Sequence, residues 1–188
     1  MRYAPEHNEE TRERILAAAS RLFREHGIAA VGLAKIMAEA ELTVGTFYTH
    51  FKSKEALLKD ALVQSLQTHE QLRQALGRGD LEMAVRAYLS PEHRDAAGTG
   101  CPVAALGAEV ARHPRATRHT LVSQLEPSLD AVAALLSTRR GKKVSRADAA
   151  AFFGLLVGTL QLARATPDRA ESGAILEAGV RAALRLAT

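Results

Sequence analysis

An all-α fold of about nine helices is what this sequence predicts, on three observations. Apolar residues recur at helical spacing along most of the 188 residues, and the strict alternation of a half-buried strand does not. Ala and Leu dominate, aromatic residues make up 4% and Trp is absent, a mix that suits helices of straight-chain side chains better than sheets. Capping residues and prolines stand where such helices would begin, and glycines where they would end.

The first helix is expected over residues 9–26, with Ile15, Ala19, Leu22, Phe23 and His26 on one stripe and Arg12, Glu13, Arg21 and Arg24 opposite. Glu9, Glu10 and Glu13 suit the positive end of its dipole, and Gly27 is its C′ stop. Two short helices follow at 33–40 and 44–50, separated by Glu41-Leu42-Thr43. Ser53 has the chemistry of an N-cap for a long helix reaching about Leu76, broken by Gly77-Arg78-Gly79. Asp80 caps a helix to Leu89, and residues 90–100, with Pro91 and two glycines, read as a loop. Pro102 and Pro114 each suit the first position of a helix. Pro127 interrupts the helical pattern of residues 115–140 and implies a kink or two helices. Ser145 with Asp148 is close to a capping box opening an apolar helix to about Ala165, and Pro167-Asp168 precede a last helix to near Leu186.

Bulk properties exclude several classes. A single cysteine, Cys101, leaves no internal disulfide framework and fits a reducing compartment. The first residues carry no apolar stretch of a secretory signal, and the apolar run 149–163 is too short to span a bilayer, so a cytoplasmic protein with no membrane partner is expected. The seven His show no metal-ligand spacing, and no phosphate loop or cofactor motif appears. Net charge is +4, but residues 1–60 carry nine Lys and Arg against nine Asp and Glu. Binding of an anionic polymer by that segment would depend on where charges sit, not on their sum.

The stretch LAKIMAEAELTVGTFYTHFKSK, residues 33–54, is the most informative. Leu33, Ile36 and Ala40 can face Phe47 and Phe51, which lie one turn apart, with Leu42 filling the turn between the helices. Thr43 stands at an N-cap, its hydroxyl placed to accept from the Thr46 amide. Gly45 leaves the second helix flat, while Thr46, Tyr48, Thr49 and His50 lie off the buried stripe, followed by Lys52 and Lys54. Two readings fit: a helix-turn-helix whose second helix enters a major groove, or an αα-hairpin with an amphipathic second helix. The exposed Thr, Tyr and His between two buried Phe, closed by Lys-Ser-Lys, favour the first.

The segment GTFYTHFKSKEALL, with Phe23-x-x-x-Gly27 upstream, resembles the recognition helix and following helix of TetR/AcrR-type transcriptional regulators. The resemblance implies a DNA-binding domain over residues 1–52 and a helical regulatory and dimerisation domain over 53–188. It places Thr46, Tyr48 and Lys54 on phosphates, and Val44, Gly45, Thr49 and His50 toward base edges. The implied activity is that of a dimeric repressor on palindromic operator DNA, released by an unidentified small-molecule inducer. Two positions depart from the family pattern: Glu41 where Gly is usual in the turn, and Gly32 where Thr or Ser usually caps. A residue at position 41 would be strained if the turn needs positive φ.

In the second half, the helix after Ser145 is apolar nearly all round, and Gly154 and Gly158 would permit close helix contact. A homodimer interface is expected at Phe153, Gly154, Val157, Gly158, Gln161, Leu176, Gly179, Val180 and Ala183. Met83, Tyr88, Phe152 and Phe153 are candidate ligand-lining residues, with ordinary core as the alternative. Cys101 precedes Pro102 at a helix N-cap, where the dipole would lower its pKa. The segment GTGCPVAALGAEVAR resembles a regulatory-domain pattern of a TetR subgroup with members that sense electrophiles or oxidants, which makes a thiol-sensing repressor the alternative reading. A cysteine-dependent enzyme using His93 or His113 as base is a third, without a supporting local signature.

Overall fold

The computed structural model describes residues 5–67 and 79–188, and these contain helices and no strand. The helices are α1 (Pro5–His26), α2 (Leu33–Glu39), α3 (Val44–His50), α4 (Lys54–Gln67), α5 (Leu81–Tyr88), α6 (Pro91–Asp95), α7 (Pro102–Val110), α8 (Arg115–Arg140), α9 (Arg146–Ala165) and α10 (Arg169–Leu186). The expected end of α4 near Leu76 and the break at Gly77-Arg78 lie outside the described residues.

Side-chain caps set many of the boundaries. Asp80 accepts from the Met83 amide and Asp168 from the Glu171 amide, satisfying donors that α5 and α10 leave open. Ser145 and Asp148 form the reciprocal capping box of α9. Gly27 at φ +85° and Gly141 at φ +63° terminate α1 and α8 in the left-handed conformation.

Several boundaries differ from the sequence expectation. Residues 90–100 are not all loop: the Ser90 hydroxyl caps the His93 amide and Pro91 takes the first helical position, giving the five-residue α6. One turn and a half is too short for periodicity to register. Pro114 is the N-cap of α8, one residue earlier than expected. Pro127 neither splits α8 nor ends it. Burial of Thr117 before it, and of Leu129, Val132, Ala133 and Leu136 after it, holds the helix together across the missing amide. α1 starts earlier than expected, and His26 leaves the apolar stripe for solvent because Gly27 turns the chain away.

Two cores result. One joins α1–α4, with Ile15, Phe23, Ile36, Met37, Phe47, Leu57 and Leu62 essentially inaccessible to solvent. The other joins α5 and α7–α10 around Leu136, Leu160 and Ala183. α7 belongs to both: Cys101 and Ala104 enter the second core, Leu106 and Val110 the first. The helix-turn-helix is therefore seated on α7 rather than hung from a linker.

Candidate nucleic-acid interface

α2 ends in a turn built from backbone bonds. The Leu42 amide donates to the Met37 carbonyl at 2.8 Å and the Glu41 amide to the Ala38 carbonyl at 3.0 Å. This is the Schellman pattern, and Glu41 occupies its left-handed position at φ +56°. The strain expected for a side chain there is present. Arg14 braces the turn from α1, donating to the Ala40 carbonyl at 2.5 Å and meeting the Glu41 carboxylate at 3.4 Å. Neither this brace nor the buried Met37 was signalled by the residue pattern around the turn.

α3 is held by Phe47 and Phe51, whose stacked rings lie 5.7 Å apart. Ile36 and Met37 face them from α2, fully buried, while Leu33 and Leu42 pack at the edge of that core. Thr43 stands at the N-cap, but its hydroxyl does not accept from the Thr46 amide as expected. That amide bonds the Thr43 carbonyl at 3.1 Å, and the two hydroxyls bond each other at 3.1 Å. The cap is therefore provided by backbone, and the side chains form a polar step beside it.

The anchor leaves one face of α3 in solvent. Tyr48 is 67% exposed and Val44 43%, with Gly45, Thr49 and Lys52 also exposed and Thr46 and His50 half-buried. A Cβ at Gly45 would meet only the Thr43 hydroxyl, at 3.9 Å, so nothing within the chain demands glycine there. Lys54 stands apart from this set. Its ammonium donates to the Ile28 carbonyl at 2.6 Å and lies 5.8 Å from the centre of the Phe23 ring. It braces the α1–α2 connection. On α1, Arg12 pairs with Asp60 at 2.6 Å, and Arg21 with both Glu25 and Glu39. The segment's even charge balance is thus partly resolved in space: Glu25, Glu39 and Asp60 are spent on α1 arginines, and Lys35 and Lys52 stay exposed.

Residues of α7, of the loop before it and of the start of α8 grip the α1–α4 unit at polar joints. The Glu109 carboxylate of α7 accepts from the amides of Ile28 at 2.9 Å and Ala29 at 3.2 Å. Arg24 of α1 donates to the Gly98 carbonyl at 2.7 Å. Glu55 of α4 accepts from the Thr117 hydroxyl and meets His113 Nδ1 at 3.0 Å. All join residues more than fifty apart in the chain, so no local pattern announces them.

Cys101 is buried at the N-cap of α7. The His93 ring donates from Nδ1 to the Tyr88 carbonyl at 2.7 Å and accepts the Cys101 amide on Nε2 at 2.9 Å. His93 thus faces the amide and fixes the cap. The Tyr88 hydroxyl, buried and without a well-aligned partner, lies beside the thiol. Burial pushes the thiol's pKa up despite the amides of Ala104 and Val103, reversing the depression expected from the helix dipole. His113, the other candidate base, is engaged with Glu55. Tyr88, Phe152 and Phe153 sit in the second core with Met83 at its edge, and the Tyr88 and Phe153 rings are 5.6 Å apart.

The residues expected at a dimer interface separate into two groups. Phe153, Leu176, Gly179, Val180 and Ala183 are buried within the chain, and a Cβ at Gly179 would strike Thr159. Their side chains make the α9–α10 core and are not free for a partner. Gly154, Val157, Gly158 and Gln161 are exposed or half-buried, and Gln161 reaches the Ala104 carbonyl at 2.9 Å. The open stripe of α9 is Ala151, Gly154, Gly158, Leu162 and Ala165, with Leu162 64% exposed.

Residues 15–61 match the family model of bacterial regulatory proteins, tetR family. Among curated relatives, the HTH-type transcriptional repressor NemR of Escherichia coli K12 is 32% identical over 108 residues, 54% of each chain. The HTH-type transcriptional regulator TtgR of Pseudomonas putida is 41% identical over 76 residues, 40% of this chain and 36% of that one. The matches thus span about half or less of these relatives. The reduced form of E. coli NemR shares the fold over 93% of this chain and 95% of its own, with a TM-score of 0.74 at 22% identity. SCO4454, a TetR-family transcriptional regulator of Streptomyces coelicolor, covers 98% of this chain and 96% of its own at 25% identity, with a TM-score of 0.70. The N-terminal segment thus matches the tetR family, and the chain has the fold of TetR-family transcriptional regulators. No helix among the described residues is long and apolar enough to cross a membrane.

Proposed function

We propose that this protein is a transcriptional repressor that binds a palindromic operator as a homodimer and is released by a small-molecule inducer. One observation carries the DNA-binding part: a short helix locked by Phe47 and Phe51 presents Val44, Gly45, Tyr48, Thr49 and Lys52 to solvent. Such a surface fits a major groove, with Tyr48 and Lys52 on phosphates and Thr49 and His50 toward base edges. Gly45 lets the backbone approach closely. Lys54 acts behind this surface by holding the Ile28 carbonyl, and Thr46 through its contact with Thr43. The E. coli relative that carries the name repressor supports the sign of the regulation.

α9 supports the dimer. Gly154 and Gly158 would meet nothing within the chain if a Cβ were added, yet each costs helix stability, by about 1 kcal/mol relative to Ala. A second copy packed against this stripe gives them a reason, and a dimer is what a palindromic operator with two half-sites would require.

Fluorescence anisotropy with DNA flanking the protein's own gene tests the reading. Binding should weaken steeply with added salt, and Tyr48→Ala or Lys52→Ala should each reduce affinity by roughly tenfold. These side chains are exposed, so circular dichroism should be unchanged. Salt-independent binding, or no binding to any such fragment at low salt, would refute it.

A further inference from the structure

The corner where α6, the end of α9 and the start of α10 meet holds a polar pocket of about 340 Å³. Three arginines line it, Arg94, Arg164 and Arg169, with Asp95 as the single carboxylate. Arg94, whose side chain is 9% exposed, spends its guanidinium on Asp95 at 2.8 and 3.0 Å and on the Ser172 hydroxyl at 3.0 Å. Arg169 reaches the same carboxylate at 2.6 Å through Nη1 alone. One negative charge therefore serves two cations.

Arg164 has no carboxylate within ion-pairing distance among the described residues. It is half-buried and donates from Nε to the Arg94 carbonyl at 3.0 Å and from Nη2 to the His93 carbonyl at 2.8 Å. Nη1 bonds no protein acceptor among the described residues. Carbonyl oxygens orient a guanidinium without cancelling its charge, and a desolvated, uncancelled cation is costly to keep. Burial accordingly pulls the Arg164 pKa down.

We infer that this pocket is a binding site for a small organic anion, a carboxylate or phosphate ester, held between Arg164 Nη1 and the unused face of Arg169. Its volume suits a small metabolite, and its polar lining suits a charged head group. Asp95 competes with that ligand for Arg169 and keeps the empty site folded. The proposal goes beyond the repressor reading and does not depend on DNA.

Calorimetric titration at constant ionic strength tests it, using acetate, succinate, citrate and inorganic phosphate in turn. Saturable binding of at least one probe is expected, and the probe that binds assigns the head group as carboxylate or phosphate. Arg164→Met should weaken it roughly tenfold or more, the worth of one charged hydrogen bond. Arg169→Ala, at a side chain that is 72% exposed, should do so without touching the fold. Asp95→Asn should tighten binding by freeing Arg169. No saturable binding of any probe, or binding indifferent to Arg169→Ala and Asp95→Asn, overturns the proposal.

Discussion

Glu41 shows how one residue records a compromise. The turn between α2 and α3 needs a left-handed residue, and an L side chain there costs about 1–2 kcal/mol. The Arg14 contact at 3.4 Å, with the carboxylate 87% exposed, returns little of that. Glu41→Gly should therefore raise unfolding stability by about 1 kcal/mol in urea denaturation, and an unchanged or lower midpoint would refute the strain. His93 yields a second expectation. Burial holds its pKa below the ordinary 6.5, and Nε2 must stay unprotonated to accept the Cys101 amide. As pH falls below 6.5 the unfolded chain binds the proton first, so native stability present above that value is lost on acidification. The melting temperature should drop more steeply in the native protein than in His93→Gln between about pH 7.5 and 5.5, and parallel profiles would exclude the role. The same burial that protects His93 keeps Cys101 a thiol, so its reactivity requires the core to open first.

At the scale of elements, α7 and α9 matter most. α7 carries the Cys101 cap at one end and Glu109 near the other, so its position is read by the α1–α2 connection through two backbone amides. A shift of α7 cannot leave the helix-turn-helix unmoved while those bonds persist. α9 packs on α6, α7, α8 and α10, and its Ala151–Gly154–Gly158–Leu162 stripe is open in the single chain. Gly158→Ala should leave the fold intact or more stable, because its Cβ meets nothing. Gly158→Arg should shift the mass in light scattering from dimer to monomer while circular dichroism stays constant. A dimer that persists in that variant would place the interface elsewhere.

For the whole molecule, charge and packing divide the labour. Residues 1–60 have no net charge, so the proposed affinity for DNA has to come from placement. Placement is what the fold supplies: Arg12 and Arg21 are consumed by acids on α1, α2 and α4, and the α3 side keeps Lys52. The steep salt dependence expected for operator binding reports this arrangement. Leu106 and Val110 in the first core, with Cys101 and Ala104 in the second, make α7 a wall shared by both.

The sequence by itself determined the all-helical class, most helix starts, the α2–turn–α3 segment and the Phe47/Phe51 anchor. Each rests on residues a few positions apart, where helical spacing and capping chemistry act locally. The family resemblance marked position 41 as one where Gly is usual, and the structure supplied the positive φ that explains it. Tertiary structure alone decided the rest. α6 was too short for periodicity, and packing on both sides of Pro127 decided that α8 is one helix and not two. The resemblance implies a phosphate contact for Lys54, whereas the fold gives its ammonium to the Ile28 carbonyl, 26 residues away. Five of the nine expected interface residues turned inward, since an apolar helix does not reveal which of its faces its own chain covers. The Arg164 pocket brings together α6, α9 and α10, and a charge without a counter-charge becomes visible only when its neighbours in space are known.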